Sequence, residues 1–192
     1  INEKIREEIE KRIEDPVAEF TIPYSRITRG MVDWVGEKNA NLGEVLNRLG
    51  LPVPPGFAIT THAYYSLLDY NNLFDEIDRK KMEIDPENLE SVTLVSGEIQ
   101  RLIMSAEVPP ELREAIVSSY ERMVHASDGE SASGPPRNVS LRSSALREDS
   151  ELSFAGQYQS SLNVPPEKLI ETYKYIVASL YTPRAVSYRL NK

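Results

Sequence analysis

Two short stretches hold the residue types that a phosphate-binding site needs. The first is Gly36-Glu37-Lys38, a glycine followed by a lysine that enters an amphipathic helix. A lysine there brings an ammonium to a helix N-terminus, where free backbone N–H groups and the helix dipole already favour an anion. The second is LRSSALREDSELSFAGQ, Leu141 to Gln157. In it Arg142 ends a strand-like segment and is followed by Ser143, Ser144 and Ala145, side chains too small to block approach to the backbone. A planar guanidinium fork beside exposed amides and hydroxyls suits phosphate oxygens. The stretch closes on Ser153-Phe154-Ala155-Gly156-Gln157, a turn whose amides could fold over an anion. Each stretch also has a plainer reading, a solvated lysine in a first helical turn and a hairpin loop with a surface arginine. Neither has the specificity of a Walker A lysine loop, and spacing alone leaves both readings open. Their occurrence in one chain, each flanked by a strand-like segment, shifts the balance toward the phosphate reading, but chemistry alone leaves it undecided.

The elements that would position them follow from periodicity. Leu42, Val45, Leu46 and Leu49 mark one face of a helix that Gly50 stops, followed by the stiff connector LPVPPG. FAIT is expected as a short buried strand, with a helix from about Thr61 to Tyr70. Upstream, VAEFTIPYSRI reads as extended, with Pro23 inside it. Val92, Val95, Ile99 and Leu102 form one helix face, and Leu112, Ile116, Tyr120 and Met123 another. SDGESASGPPR, Ser127 to Arg137, is a loop by composition. NVSLRS and YQSSLNV are then two strands, so the arginine stretch connects a hairpin-like pair. Pro165-Pro166 open a helix with Leu169, Tyr173, Ile176 and Leu180 on one side, and TPRAVSYRLNK reads as a last helix. Clusters of helices with a few strands between them give an α+β (α/β) class, several helices around a small mixed or antiparallel sheet.

Composition narrows the functional classes. At 192 residues and 40% hydrophobic, the chain can bury a core without a metal or disulfide staple. It has no cysteine, hence no thiolate metal site and no cysteine nucleophile, which fits a cytoplasmic setting. Thirty acidic against 22 basic residues, a net charge of −8, argue against a nucleic-acid surface while leaving room for one arginine-lined anion pocket. No apolar run is long enough for a membrane span. The first fifteen residues place Ile1, Ile5, Ile9 and Ile13 as a thin stripe on a charged helix, expected as a docking or linker helix. The start at Ile1 rather than methionine leads us to expect a piece of a longer product. His62, at a helix start, and His125, near a helix end, are read as structural or solvated residues rather than catalytic ones.

Three segments carry a resemblance. GEKNANLGEVLNRLGLPVPPGFAIT, SLRSSALREDSELSFAGQYQSSLNV and VASLYTPRAVSYR, in that order, resemble the N-terminal nucleotide-binding domain of the phosphoenolpyruvate synthase and pyruvate phosphate dikinase family. The resemblance implies an ATP-grasp-like N-terminal subdomain, with residues 1–29 as helix and extended linker and 30–192 as the first part of the ATP-binding domain. It implies ATP as ligand, with Lys38 and Arg142 on its phosphates, Ser143 and Ser144 as backbone or hydroxyl contacts, and Ser153, Gly156 and Gln157 in a loop over the phosphates. Charge neutralisation and positioning are most of what such a site must do. Mg²⁺ is implied for the parent enzyme, with no metal ligand and no catalytic residue in this chain. The partners implied are a downstream ATP-grasp half, a swivelling domain with a phosphorylatable histidine, and a pyruvate-binding domain. In such a parent, ATP would phosphorylate that histidine and the phosphoryl group would pass to pyruvate. The isolated piece is expected to bind ATP weakly and not to turn over.

Two departures from the pattern stand out. Glu37 occupies a position where a second glycine is usual, and the loop between Asp149 and Ser153 is one residue shorter than the usual form. They keep a second class of reading open, a degenerate non-catalytic ATP-grasp module in a signalling or assembly protein. A related dikinase acting on rifampicin or glucan is a third.

Overall fold

The computed structural model describes residues 18–128, 137–144 and 159–190. The chain opens with β1 (Thr21–Pro23), turns through short 3₁₀ segments at Tyr24–Arg26 and Arg29–Met31, and continues as α1 (Val32–Val35) and α2 (Glu37–Asn47). After the proline-rich connector come β2 (Phe57–Ile59), α3 (Thr61–Tyr70) and α4 (Leu73–Met82). Two long helices follow, α5 (Leu89–Ser105) and α6 (Pro110–Asp128), then β3 (Val139–Arg142) and β4 (Ser160–Val164). The final elements are α7 (Leu169–Ala178) and α8 (Pro183–Leu190), each preceded by a 3₁₀ turn.

This is a mostly helical α+β arrangement. The small sheet takes the form of two separate antiparallel ribbons, β1 with β2 and β3 with β4. Thr21 pairs with Ile59 and Pro23 with Phe57, so the proline sits at the strand's last position before the chain turns. Residues expected as the extended end of a linker thus contribute a strand and two fully buried side chains, Ile22 and Ile27. In the second ribbon Leu141 pairs with Ser161 and Arg142 with Ser160. A bulge lies between Val139 and Leu141.

The main core lies among the helices. Val92, Val95, Ile99 and Ile103 of α5 pack with Leu67, Leu68, Ile77, Leu112, Ile116, Tyr173 and Val177 in one apolar cluster. On α6 Leu112, Ile116 and Tyr120 are buried as the periodicity predicts, and on α5 so are Val92, Val95 and Ile99, with Ile103 rather than Leu102 buried beyond them. On α7 the buried residue is Val177 rather than Ile176, one step round the helix. Helix starts are capped as their residue types require: the Thr60 side chain accepts from Ala63 N–H, and the Asn88 side chain from Glu90 and Ser91. Asn71 joins α3 to the α5–α6 connection by donating to the carbonyls of Leu67 and Glu107 and accepting from Glu107 N–H.

The face expected on α2 is corrected. Leu49 lies beyond the helix and is 61% exposed, and the residues α2 buries are Ala40 and Gly43. At Gly43 an added Cβ would stand 2.5 Å from the Ile27 carbonyl oxygen and 2.7 Å from its Cβ. Close approach selects the smallest residues for the inner face, and the leucines are left at the margin.

Candidate functional site

The Gly36-Lys38 corner is built from backbone requirements. Gly36 joins α1 to α2 at φ 77°, ψ 162°, a conformation essentially reserved for glycine. Its N–H closes α1 on the Val32 carbonyl at 2.8 Å, and its carbonyl accepts the first bond of α2 from Ala40 at 3.0 Å. Asn39 Nδ2 donates to the Val35 carbonyl at 2.8 Å, and Thr61 Oγ1 donates to the Asp33 carbonyl at 3.3 Å. These bonds take up carbonyls that the end of α1 would otherwise leave open. Lys38 stands exposed in the first turn of α2, its ammonium stem projecting from a fixed corner.

On the hairpin, β3 alternates its side chains, so Leu141 faces the core while Arg142 faces out. Among the described residues the Arg142 guanidinium makes no hydrogen bond or ion pair. Several other basic side chains are ion-paired: Arg26 with Glu19, Arg48 with Glu44, Arg79 with Glu76 and Glu83, and Lys168 with Glu171. Ser143 is buried, and both its N–H (3.1 Å) and its hydroxyl (3.4 Å) are directed at the Gln159 carbonyl. Ser143 therefore extends the ladder one residue past β3, with its hydroxyl turned to that carbonyl. The Ser144 hydroxyl is buried and has no partner among the described residues.

The two stretches meet. At Gly36 an added Cβ would overlap Ser144 Oγ and stand 2.5 Å from the Ser144 carbonyl oxygen and 2.8 Å from its carbonyl carbon. The start of the lysine helix and the end of the arginine strand are therefore in van der Waals contact through their backbones. Lys38 is two residues from one side of this contact, and Arg142 two residues from the other. Two cations are carried on elements that meet at one junction, next to a helix N-terminus, and these are residue types that can hold an anion. Ser153, Gly156 and Gln157, expected to close over it, lie outside the described residues.

His62 stacks on Phe20 with centroids 5.0 Å apart and planes 13° from parallel, while His125 is exposed in the last turn of α6. Among the described residues no three His, Asp or Glu side chains are grouped to hold a metal ion. Sequence reasoning missed the Gly36–Ser144 contact and the role of Asn39. The signal for the first was a glycine standing immediately before a helix, and for the second an amide four residues after Val35.

Comparison with known proteins settles the lineage. A family model, the pyruvate phosphate dikinase AMP/ATP-binding domain, matches residues 32–192. The chain belongs to this family. The matched span begins four residues before Gly36 and takes in Lys38, Arg142 and the hairpin. Among curated relatives, the phosphoenolpyruvate synthase of Neisseria meningitidis serogroup B is 35% identical over 178 residues, covering 90% of this chain and 22% of that protein. The probable phosphoenolpyruvate synthase of Staphylothermus marinus is 39% identical over 174 residues, covering 89% and 20%. The phosphoenolpyruvate synthase of Escherichia coli K12 is 34% identical over 174 residues, covering 88% and 21%. This AMP/ATP-binding domain chain spans about a fifth of the length of these relatives. Among its described residues no helix is long and apolar enough to cross a membrane.

Proposed function

We propose that this chain supplies the phosphate-contacting part of the ATP site of a phosphoenolpyruvate synthase-like dikinase, a cytoplasmic enzyme. Residues 30–192 form the first part of an ATP-grasp-type domain, with residues 18–29 built into its base. The observation that carries the reading is the contact of Gly36 with Ser144, which brings the lysine-bearing helix and the arginine-bearing strand to one place. Lys38 acts as a point charge and Arg142 as a planar two-pronged donor on the triphosphate oxygens. Together with the N-terminal amides of α2 they neutralise charge and fix the direction in which the terminal phosphates point. Ser144 contributes backbone to the floor of the cradle.

The whole enzyme would use ATP to phosphorylate a histidine on a separate domain and pass the phosphoryl group to pyruvate, with this chain holding the donor. Mg²⁺ in that enzyme would neutralise phosphate charge. Its ligands are proposed to lie in the remainder of the enzyme. Calorimetric titration of ATP into the full-length protein tests the reading. Lys38→Ala and Arg142→Ala should each weaken ATP binding about tenfold or more, the loss expected of a charge-assisted hydrogen bond.

One observation favours a second reading, a domain that keeps the fold without turning over ATP. Glu37 places a carboxylate in the first turn of α2, beside Lys38. ATP binding indifferent to both substitutions would support that reading and overturn the first.

A further inference from the structure

Asn39 follows Lys38 directly, and its side chain takes the place of its own backbone group. In an unbroken α-helix the N–H of residue 39 would donate to the carbonyl of residue 35. The glycine conformation at residue 36 interrupts that run, and the Asn39 N–H forms no backbone hydrogen bond among the described residues. The Val35 carbonyl receives the side-chain amide instead, Nδ2 to oxygen at 2.8 Å. The bond closes a loop from Val35 through Gly36, Glu37 and Lys38 to Asn39, so the lysine's backbone is held on both sides. Only a donor serves here. A glutamate, common at the third helical position, would reach back to the N–H of the capping residue. That N–H, on Gly36, is already given to the Val32 carbonyl at 2.8 Å.

The body of α2 is fixed by other contacts. Ala40 and Gly43 are buried, and Gly43 lies against Ile27. At the far end Asn47 Nδ2 donates to the carbonyls of Tyr24 at 2.8 Å and Ile27 at 2.9 Å. The Asn39 bond acts ahead of these, on the turn that precedes the first intrahelical bond, Ala40 N–H to the Gly36 carbonyl at 3.0 Å. Glycine has the widest backbone freedom of any residue, so the direction in which α2 leaves Gly36 depends on what spans that residue. Asn39 spans it. A misplacement of about 1 Å is enough to cost a positioned charge much of its effect.

We infer that Asn39 is a positioning residue for Lys38, its side-chain amide on the Val35 carbonyl fixing the first turn of α2 so that the ammonium is presented to the phosphates. This rests on the assignment of Lys38 to ATP phosphate. The test is a double-substitution cycle in the full-length protein, with ATP affinity by calorimetry and melting temperature for Asn39→Ala, Lys38→Ala and the pair. Asn47→Ala, which loosens the other end of the same helix, is the reference for a purely structural loss. Asn39→Ala should weaken ATP about three- to tenfold, the scale of one neutral hydrogen bond. Its melting temperature should shift little, because the better helix propensity of alanine offsets part of the lost bond. In the Lys38→Ala background the same change should cost nothing further, because the group it positions is gone. Asn47→Ala should lower the melting temperature and leave ATP affinity as in the parent. An equal loss from Asn39→Ala in both backgrounds overturns the inference, as does a larger fall in melting temperature than Asn47→Ala gives, or an affinity loss in Asn47→Ala that matches it. Unchanged affinity in Asn39→Ala with a loss in Lys38→Ala overturns it alone. Unchanged affinity in Lys38→Ala overturns it together with the phosphate assignment.

Discussion

Replacing Gly36 by alanine tests the junction most sharply, because two independent penalties fall on one methyl group. The backbone there has φ 77°, ψ 162°, and forcing a side chain into such a region costs about 1–3 kcal/mol. The methyl would also meet the Ser144 backbone at 2.5 and 2.8 Å, where non-bonded carbon contacts lie near 3.5–4.0 Å. Relief requires that the end of β3 and the start of α2 separate by roughly 1 Å, and overpacking of this kind costs about 1–3 kcal/mol more. Together that is about 2–6 kcal/mol, a large part of the roughly 5–15 kcal/mol that holds a domain folded. Two other glycines divide the effect. Gly50 has φ 62° and nothing within 4 Å, so Gly50→Ala carries the conformational penalty alone, about 1 kcal/mol. Gly97 lies within α5 with nothing within 4 Å, and Gly97→Ala should stabilise by about 0.5–1 kcal/mol. Urea unfolding followed by the fluorescence of Trp34, the single tryptophan and two residues from the junction, gives all three values. A Gly36→Ala variant no less stable than Gly50→Ala would show that the lysine and arginine segments are not in backbone contact.

Three further outcomes are expected. Tyr173 is buried, its hydroxyl has no partner among the described residues, and desolvation holds its pKa above the ordinary 10.0. The unfolded chain therefore releases this proton first, and above about pH 10 stability should fall by about 1.4 kcal/mol per pH unit, a slope that Tyr173→Phe reduces in denaturant titrations. At neutral pH Tyr173→Phe should leave stability unchanged or raise it by up to about 1 kcal/mol, since no hydrogen bond is lost. Asn71→Ala, which removes one hydrogen bond to the end of α3 and two to the α5–α6 connection, should cost about 1–3 kcal/mol by the same unfolding assay. Gly43→Ala should destabilise by about 1–3 kcal/mol through its overlap with Ile27, loosening α2 from the first corner.

Much of the fold is readable from the chain because its helices are strongly periodic. Val92, Val95 and Ile99 lie where a 3.6-residue repeat puts them, and the strands around Arg142 pair as a hairpin should. α2 was misread for a physical reason. Hydrophobic periodicity weights leucines, whereas the packing of α2 is decided by Ala40 and Gly43, which contribute closeness rather than apolar area. The same blindness applies to the site. Lys38 and Arg142 stand out by residue type, but the contact that unites them is made by a glycine Cα and a serine backbone, which no pattern of side chains records.

The measurement closest to the central claim is chemical protection of Lys38. Full-length protein would be treated briefly with an acylating reagent, with and without ATP, and modification at each lysine read by mass spectrometry. ATP should reduce modification of Lys38 several-fold while Lys168, on the 3₁₀ turn before α7, is unaffected, and Arg142→Ala should abolish the protection. Equal modification of Lys38 with and without saturating ATP would contradict the assignment of this junction to the phosphates.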